Sequence, residues 1–182
     1  ELECPVNIDT GSYIKRIRSH EHSLFSEYFA NFTANHFALI QRCVRGGLQI
    51  GNFMGAGLMT MITRIARKLG LKSLPLWNAQ LPKQSPIISS YSNGVGKTYI
   101  YFPSCLHRTM GPDSVINKFM ELAPQLDVEL IIPDKIHSLC CGMPFASKGF
   151  DNAHSLINEN TIDELYSLSK GGQIPILMDM SP

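Results

Sequence analysis

The sequence predicts an α/β protein: a helical N-terminal segment followed by a Rossmann-like βαβαβ parallel-sheet unit. Three observations carry that expectation. Apolar residues over positions 1–70 recur at helical spacing. Positions 97–182 alternate short β-branched and aromatic runs with amphipathic stretches. Between them, 71–96 is rich in proline and serine and reads as a linker.

The chain opens with Cys4-Pro5, a turn, and Asp9-Thr10-Gly11. In the bacterial ferredoxin run of four cysteines the last is followed by proline, and Cys4-Pro5 fits that final position. On those two residues alone, a Cys-Pro pair in an ordinary loop is the simpler reading. A short basic helix is expected over 12–18. A longer one is expected over 21–45, where Phe25, Phe29, Phe32, Phe37, Ile40 and Val44 form a stripe. Each phenylalanine, if fully buried, would contribute about 1.5–3 kcal/mol, so the stripe reads as core. His36, beside it, reads as a satisfied core or edge histidine.

Positions 46–63 carry no charge, and Gly47, Gly51 and Gly55 fall four apart on one helical face. Gln49, Asn52, Thr60 and the glycines dilute this run too much for a membrane span, so a closely packed helix hairpin is expected. Ile62, Ile65, Ala66 and Leu69 continue it until Gly70. Gly94-Val95-Gly96-Lys97-Thr98 looks superficially like a phosphate-binding loop. Tyr91 stands where that motif needs glycine, and the run precedes a strand instead of following one.

The second half reads strand, helix, strand, helix, strand. Thr98 to Phe102 is the first strand, halted by Pro103, with Cys105 just past its end. A loop follows to Gly111, then a helix from Pro112-Asp113 with Val115, Phe119, Leu122 and Ala123 inward. Val128 to Ile132 is the second strand. The Cys140-Cys141-Gly142 element comes next, followed by a helix over 151–169 with Leu156, Ile157, Ile162 and Leu165 inward, and then a third strand, Ile174 to Met178. Parallel strands joined by right-handed crossovers gather their loops at one sheet edge, so Cys105 should meet the Cys140-Cys141 pair there.

Composition narrows the function classes. The chain has 182 residues, 44% hydrophobic and 17% charged, enough for one domain or two small ones. With 16 basic and 15 acidic residues, no basic excess points to nucleic acid. No signal peptide is visible, and the start at Glu1 reads as that of a fragment of a longer protein. Five cysteines, two of them adjacent, are poor material for a disulfide framework and fit a reduced, cytoplasmic setting. Cys43, in a helical pattern, reads as a small buried hydrophobe.

Adjacent cysteines on a strand point to opposite faces, so Cys140 and Cys141 can serve one centre only if the backbone turns, and Gly142 supplies that freedom. Soft thiolates select zinc, cuprous copper or iron–sulfur clusters, and three are one short of a closed tetrahedral site. Arg108, Lys148, His107 and His137 flank the sulfurs. They are either ordinary loop residues or groups that offset thiolate charge, and a mixed Cys/His zinc site including His107 or His137 is an alternative.

Tyr101-Phe102-Pro103-Ser104-Cys105, Cys140-Cys141-Gly142-Met143-Pro144-Phe145 with Ser147-Lys148-Gly149, and Asp179-Met180-Ser181-Pro182 together resemble the cysteine-rich CCG domain of iron–sulfur oxidoreductases. That group includes the heterodisulfide reductase B subunit and the iron–sulfur subunits of glycolate oxidase and anaerobic glycerol-3-phosphate dehydrogenase. The Met-Pro-Phe and Ser-Lys-Gly extensions are most similar to single-chain FAD-linked D-lactate dehydrogenases, in which an FAD domain precedes a two-cluster ferredoxin segment and a CCG region. The resemblance implies that Cys4 ligates a 4Fe-4S cluster and that Cys105, Cys140 and Cys141, with Gly142, form a cluster or redox centre. It implies three segments: 1–70, helical with the tail of a ferredoxin-like motif; 71–96, linker; and 97–182, a truncated CCG domain. It implies FAD in an upstream domain of the same polypeptide, a quinone or cytochrome acceptor, and a cytoplasmic location, peripheral on the inner face of the cell membrane. The closing Cys-x-x-Cys of the family is absent before Pro182, so the ligand set is incomplete. No residue reads as a catalytic acid or base for the substrate, neither nucleic acid nor a transmembrane helix is expected, and a zinc-stabilised or thiol redox-sensing module is the alternative.

Overall fold

The computed structural model describes residues 9–71, 76–88, 96–111 and 115–179. Cys4-Pro5, Pro75 and four of the linker's five serines, the start of the helix after Gly111, and Met180-Ser181-Pro182 lie outside them. Among the described residues the α/β class holds, with eight α-helices and one three-stranded parallel sheet.

The first helix, α1 (Thr10–His20), is capped by Asp9, whose carboxylate accepts from Ser12 N at 3.0 Å. The single helix expected over 21–45 is two. Helix α2 (Leu24–Asn35) ends at His36, whose φ of −112° and ψ of 32° leave the helical region, and α3 (Phe37–Met54) starts afresh. The His36 ring stacks on Phe32 at 4.3 Å and lies 3.0 Å from Phe32 O, so it is an edge histidine. The phenylalanine stripe is core only in part: Phe25, Phe29 and Phe32 are exposed, whereas Phe37, on α3, packs partly buried against a core cluster. What docks α2 is the small-residue ridge of Ala30 and Ala34, both buried. Small side chains let it approach the last helix closely, while the phenylalanines fall on another side of α2.

The glycine stripe also resolves differently. Gly47 meets nothing within 4 Å, and Gly55, at φ +84°, ends α3 and opens α4 (Ala56–Lys68). Only Gly51 is packed: its backbone lies under the Trp77 indole, where an added Cβ would come within 2.1 Å of the ring. Cys43, read as buried, is exposed.

Strand β1 (Lys97–Phe102) is central. Strand β2 (Val128–Ile131) lies parallel on one side, with Lys97 opposite Val128, and β3 (Ile176–Met178) on the other, with Ile100 opposite Ile176. Ile100, Tyr101 and Phe102 are buried on this middle strand, with Ile116, Ile132, Ile136, Leu139 and Leu165 packed around them. Each fully buried isoleucine here contributes about 1.5–3 kcal/mol. Cys105 does not enter a loop but opens a short helix, α5 (Cys105–Thr109), capped by Ser104 Oγ, which accepts from His107 N.

Helix α6 (Val115–Leu122) turns Ile116 inward and leaves Val115, Phe119 and Leu122 exposed, although the Phe119 ring still stacks on Tyr101 at 5.2 Å. The four-residue helix α7 (Met143–Ala146) precedes α8 (Asp151–Leu168). Helix α8 buries Ala153, Ile157, Thr161 and Leu165 at four-residue spacing, and the expected Ile162 faces out. Ala30 and Ala34 of α2 share one core cluster with Cys140, Phe145, Ala153 and Ile157, so the helical segment is packed beneath the cysteines.

Candidate thiol site at the carboxyl edge of the sheet

In the order β2-β1-β3 the chain leaves β1 first to one side and later returns to the other. The carboxyl end of β1 is therefore the switch point at which open α/β sheets form a crevice. Cys105 follows β1 directly, and Asp179 follows β3. The segment after β2 returns over the same edge and delivers Cys140 and Cys141.

Three devices fix that segment. Arg108 of α5, fully buried, donates through its guanidinium to Ile136 O and, at 2.6 Å, to Leu139 O. Thr161 Oγ1 of α8 accepts from Cys140 N at 3.1 Å and lies 2.9 Å from Cys140 O and 2.8 Å from Ile157 O, to which it can donate. Gly142 then turns the chain with φ +74°, and a Cβ there would meet His154 Cδ2 at 2.6 Å. Gly142 thus serves the turn assigned to it, and close packing against α8 excludes any side chain.

Cys105 and Cys140 share a side-chain hydrogen bond, and Cys105 and Cys141 pack on the apolar cluster that contains Cys140. The pair is electrostatically unequal. The hydrogen bond from Cys140 lowers the Cys105 thiol to about 6 against the opposing effect of burial, helped by the Arg108 cation and the backbone N–H groups of Cys105 and Leu106. The same hydrogen bond, burial and the Cys105 charge push the Cys140 thiol up. Of the pair, Cys105 is therefore the thiol that ionises more readily and Cys140 the one that holds its proton. Burial pulls the Arg108 guanidinium down, and the acidic groups around it, Cys105 foremost and Asp179 beyond it, oppose that.

Asp179, whose side chain is nearly buried, is the hub on the β3 side. It accepts from Ser104 N and Tyr101 Oη, the latter at 3.1 Å, and pairs with His107 Nδ1 at 2.8 Å. Burial and the Asp179 charge raise the Tyr101 phenol. His107 is thus engaged by a carboxylate. His137 faces away from the sulfurs: Nδ1 lies 3.2 Å from Gln41 Oε1 and Nε2 lies 3.0 Å from Ile88 O. It completes a polar chain in which Gln41 Nε2 donates to Thr109 Oγ1 at 3.1 Å. Arg45 of α3 donates to Arg108 O and to Ser85 O, holding α5 from outside. Lys148 is exposed, and its carbonyl lies 2.9 Å from His22 Nε2.

Of the residues nominated from sequence, Cys105, Cys140, Cys141 and Gly142 come together, and Cys4 lies outside the described residues. Thr161 and Asp179 were not nominated as site residues. The signal for Asp179 was its place at the carboxyl end of a strand, whereas a buried threonine on a helix gives none.

Thiolates are suitable donors for an iron–sulfur cluster or zinc. Their arrangement falls short: Cys105, Cys140 and Cys141 are all described, yet no group of three or more His, Cys, Asp or Glu side chains among the described residues is arranged to hold a metal ion. The described residues alone do not complete a metal cage, and no step is derived through one. Comparison with protein-family models, with curated proteins and with solved structures finds no match to this chain.

Proposed function

We propose that the chain is the cysteine-rich electron-transfer part of an FAD- and iron–sulfur-dependent dehydrogenase acting on D-lactate or a related 2-hydroxy acid. Electrons would pass from FAD, in an upstream domain of the same polypeptide, toward a quinone or cytochrome acceptor at the inner face of the cell membrane. Cys105, Cys140 and Cys141 would supply sulfur ligands to a cluster or redox centre whose remaining ligands would come from outside the described residues, and Cys4, also outside them, would ligate a separate ferredoxin-type 4Fe-4S cluster. The observation that carries this reading is the meeting of Cys105 with Cys140 at the switch point, from two different βα connections. A further support is the buried Arg108 cation, which offsets thiolate charge and ties the two loops together. The chain's own residues bind, position and electrostatically balance the sulfurs; hydride removal from substrate belongs to the flavin.

The contact of one acidic with one neutral thiol favours a second reading, a thiol redox-sensing module. There the Cys105 thiolate would attack an external disulfide, releasing one thiolate. Cys140 would then lose its proton, attack Cys105 Sγ and release the second, leaving a Cys105–Cys140 disulfide. Purification without oxygen of a longer polypeptide, one that carries the FAD domain and the full set of cluster-ligating cysteines, separates the two. A brown protein with iron and acid-labile sulfide supports the electron-transfer reading. A colourless protein with free thiols, or with zinc, overturns it.

A further inference from the structure

Helix α4 is packed inside out. Its polar side faces the protein: Thr63 is buried and accepts from Trp77 N at 3.2 Å, and Thr60 Oγ1 lies 3.1 Å from Trp77 O. Its apolar side faces water. Leu58, Met61, Ile62, Ile65 and Leu69, at helical spacings of three and four, are 39–79% exposed. At the corner before Gly55, Phe53 of α3 is 93% exposed. Beside this arc runs an open groove of about 770 Å³ lined by Arg64, Arg67 and Lys68 together with Met61, Ile65 and Leu76.

The charge balance sharpens the picture. No aspartate or glutamate stands between Glu27 and Asp113, while nine of the 16 lysines and arginines do. The near-neutral total thus hides a segregation, with a strongly cationic segment around α3 and α4 and an acidic remainder.

From the apolar arc and the cations beside it we infer that α4, with Phe53 at its head, docks on an anionic lipid bilayer. The helix lies in the interface, its apolar arc among the acyl chains and its groove cations at lipid phosphates, as amphipathic interfacial helices do. It lies on the bilayer and does not cross it, since no helix among the described residues is long and apolar enough to span one. A polypeptide partner would satisfy the arc equally well, but the carboxylate-free segment that carries the arc, with Arg64, Arg67 and Lys68 in the groove beside it, complements a surface of uniform negative charge. The inference gives the peripheral location proposed above a physical surface. It stands on α3 and α4 alone, and vesicle binding and cluster content are separate measurements, so either can fail without the other.

The test is co-sedimentation of the 182-residue chain with vesicles of equal parts phosphatidylglycerol and phosphatidylcholine, against pure phosphatidylcholine. The fluorescence of Trp77, the one tryptophan, is a second readout beside α4. Binding is expected to the anionic vesicles only, to weaken with salt, and to be lost in Ile62→Glu/Ile65→Glu. Each basic residue near such a surface is worth about fivefold in partitioning, so Arg64→Gln/Arg67→Gln/Lys68→Gln should bind about a hundredfold more weakly. All five positions are exposed, and circular dichroism should show each variant folded. Absence of binding to anionic vesicles overturns the inference, as does equal binding to both vesicle types or binding that survives the two glutamates. So does self-association, or capture of a polypeptide, that the two glutamates abolish while vesicles are ignored.

Discussion

Replacing Arg108 by methionine keeps most of the side chain's volume and removes its donors. Leu139 O, on a residue 3% exposed, loses its 2.6 Å bond, and an orphaned buried carbonyl costs about 1–3 kcal/mol. Ile136 O keeps the bond from Leu139 N at 3.2 Å and loses only the guanidinium, at about 0.5–1.5 kcal/mol. Against these losses stands relief from burying a cation, which makes some buried charges replaceable at no cost. Here the cation is already balanced by the thiols and Asp179, so the relief is small and the losses win. The expected net is a destabilisation of about 2–3 kcal/mol, read as a lower urea midpoint with an unchanged slope under reducing conditions. A midpoint within about 0.5 kcal/mol of the parent, or a higher one, would show that Arg108 does not hold the cysteine segment, and the reasoning about the site would fail.

Three more outcomes are expected. Gly142→Ala should destabilise by about 2–5 kcal/mol, from about 1–2 for a left-handed alanine and about 1–3 for overpacking against His154; a loss below 1 kcal/mol in chemical denaturation would show that the turn relaxes freely. Thr161→Val should cost about 1–3 kcal/mol by leaving the buried Cys140 N–H without its acceptor, and amide exchange at Cys140 should speed up accordingly. Burial holds the His137 imidazole below its ordinary value of 6.5, so the unfolded chain binds more protons there; stability is full above that value and falls as pH drops through it, by at most about 1.4 kcal/mol per pH unit from this group. His137→Gln should remove that part of the slope, and urea midpoints at neutral and mildly acidic pH check it.

Much of the sheet unit was legible because strands with proline stops and a cysteine at the edge are local signals. Strand β1 fell within a residue of its expected place, and Cys105 met Cys140 because parallel topology leaves the loops little choice of edge. The helical segment was less legible for a physical reason. Periodicity shows that a helix has an apolar side but not which side the protein uses. Helix α2 docks by Ala30 and Ala34 and shows its phenylalanines; α4 docks by threonines and shows Leu58, Ile62 and Ile65. The break at His36 had no proline or glycine to announce it. In the site, the roles of Arg108 and Asp179 depend on contacts between residues far apart in sequence, 31 positions for Arg108 and Leu139 and 75 for Ser104 and Asp179. No local pattern encodes those.

The claim on which the functional reading rests is that the Cys105 and Cys140 thiols touch. Brief treatment of the metal-free, reduced chain with diamide, followed by peptide mass mapping, measures that contact directly. The account predicts a Cys105–Cys140 disulfide as the dominant product, formed equally well in a Cys43→Ser variant and absent in Cys140→Ala. Cys105 and Cys140 recovered unpaired, or joined instead to Cys43, would contradict it.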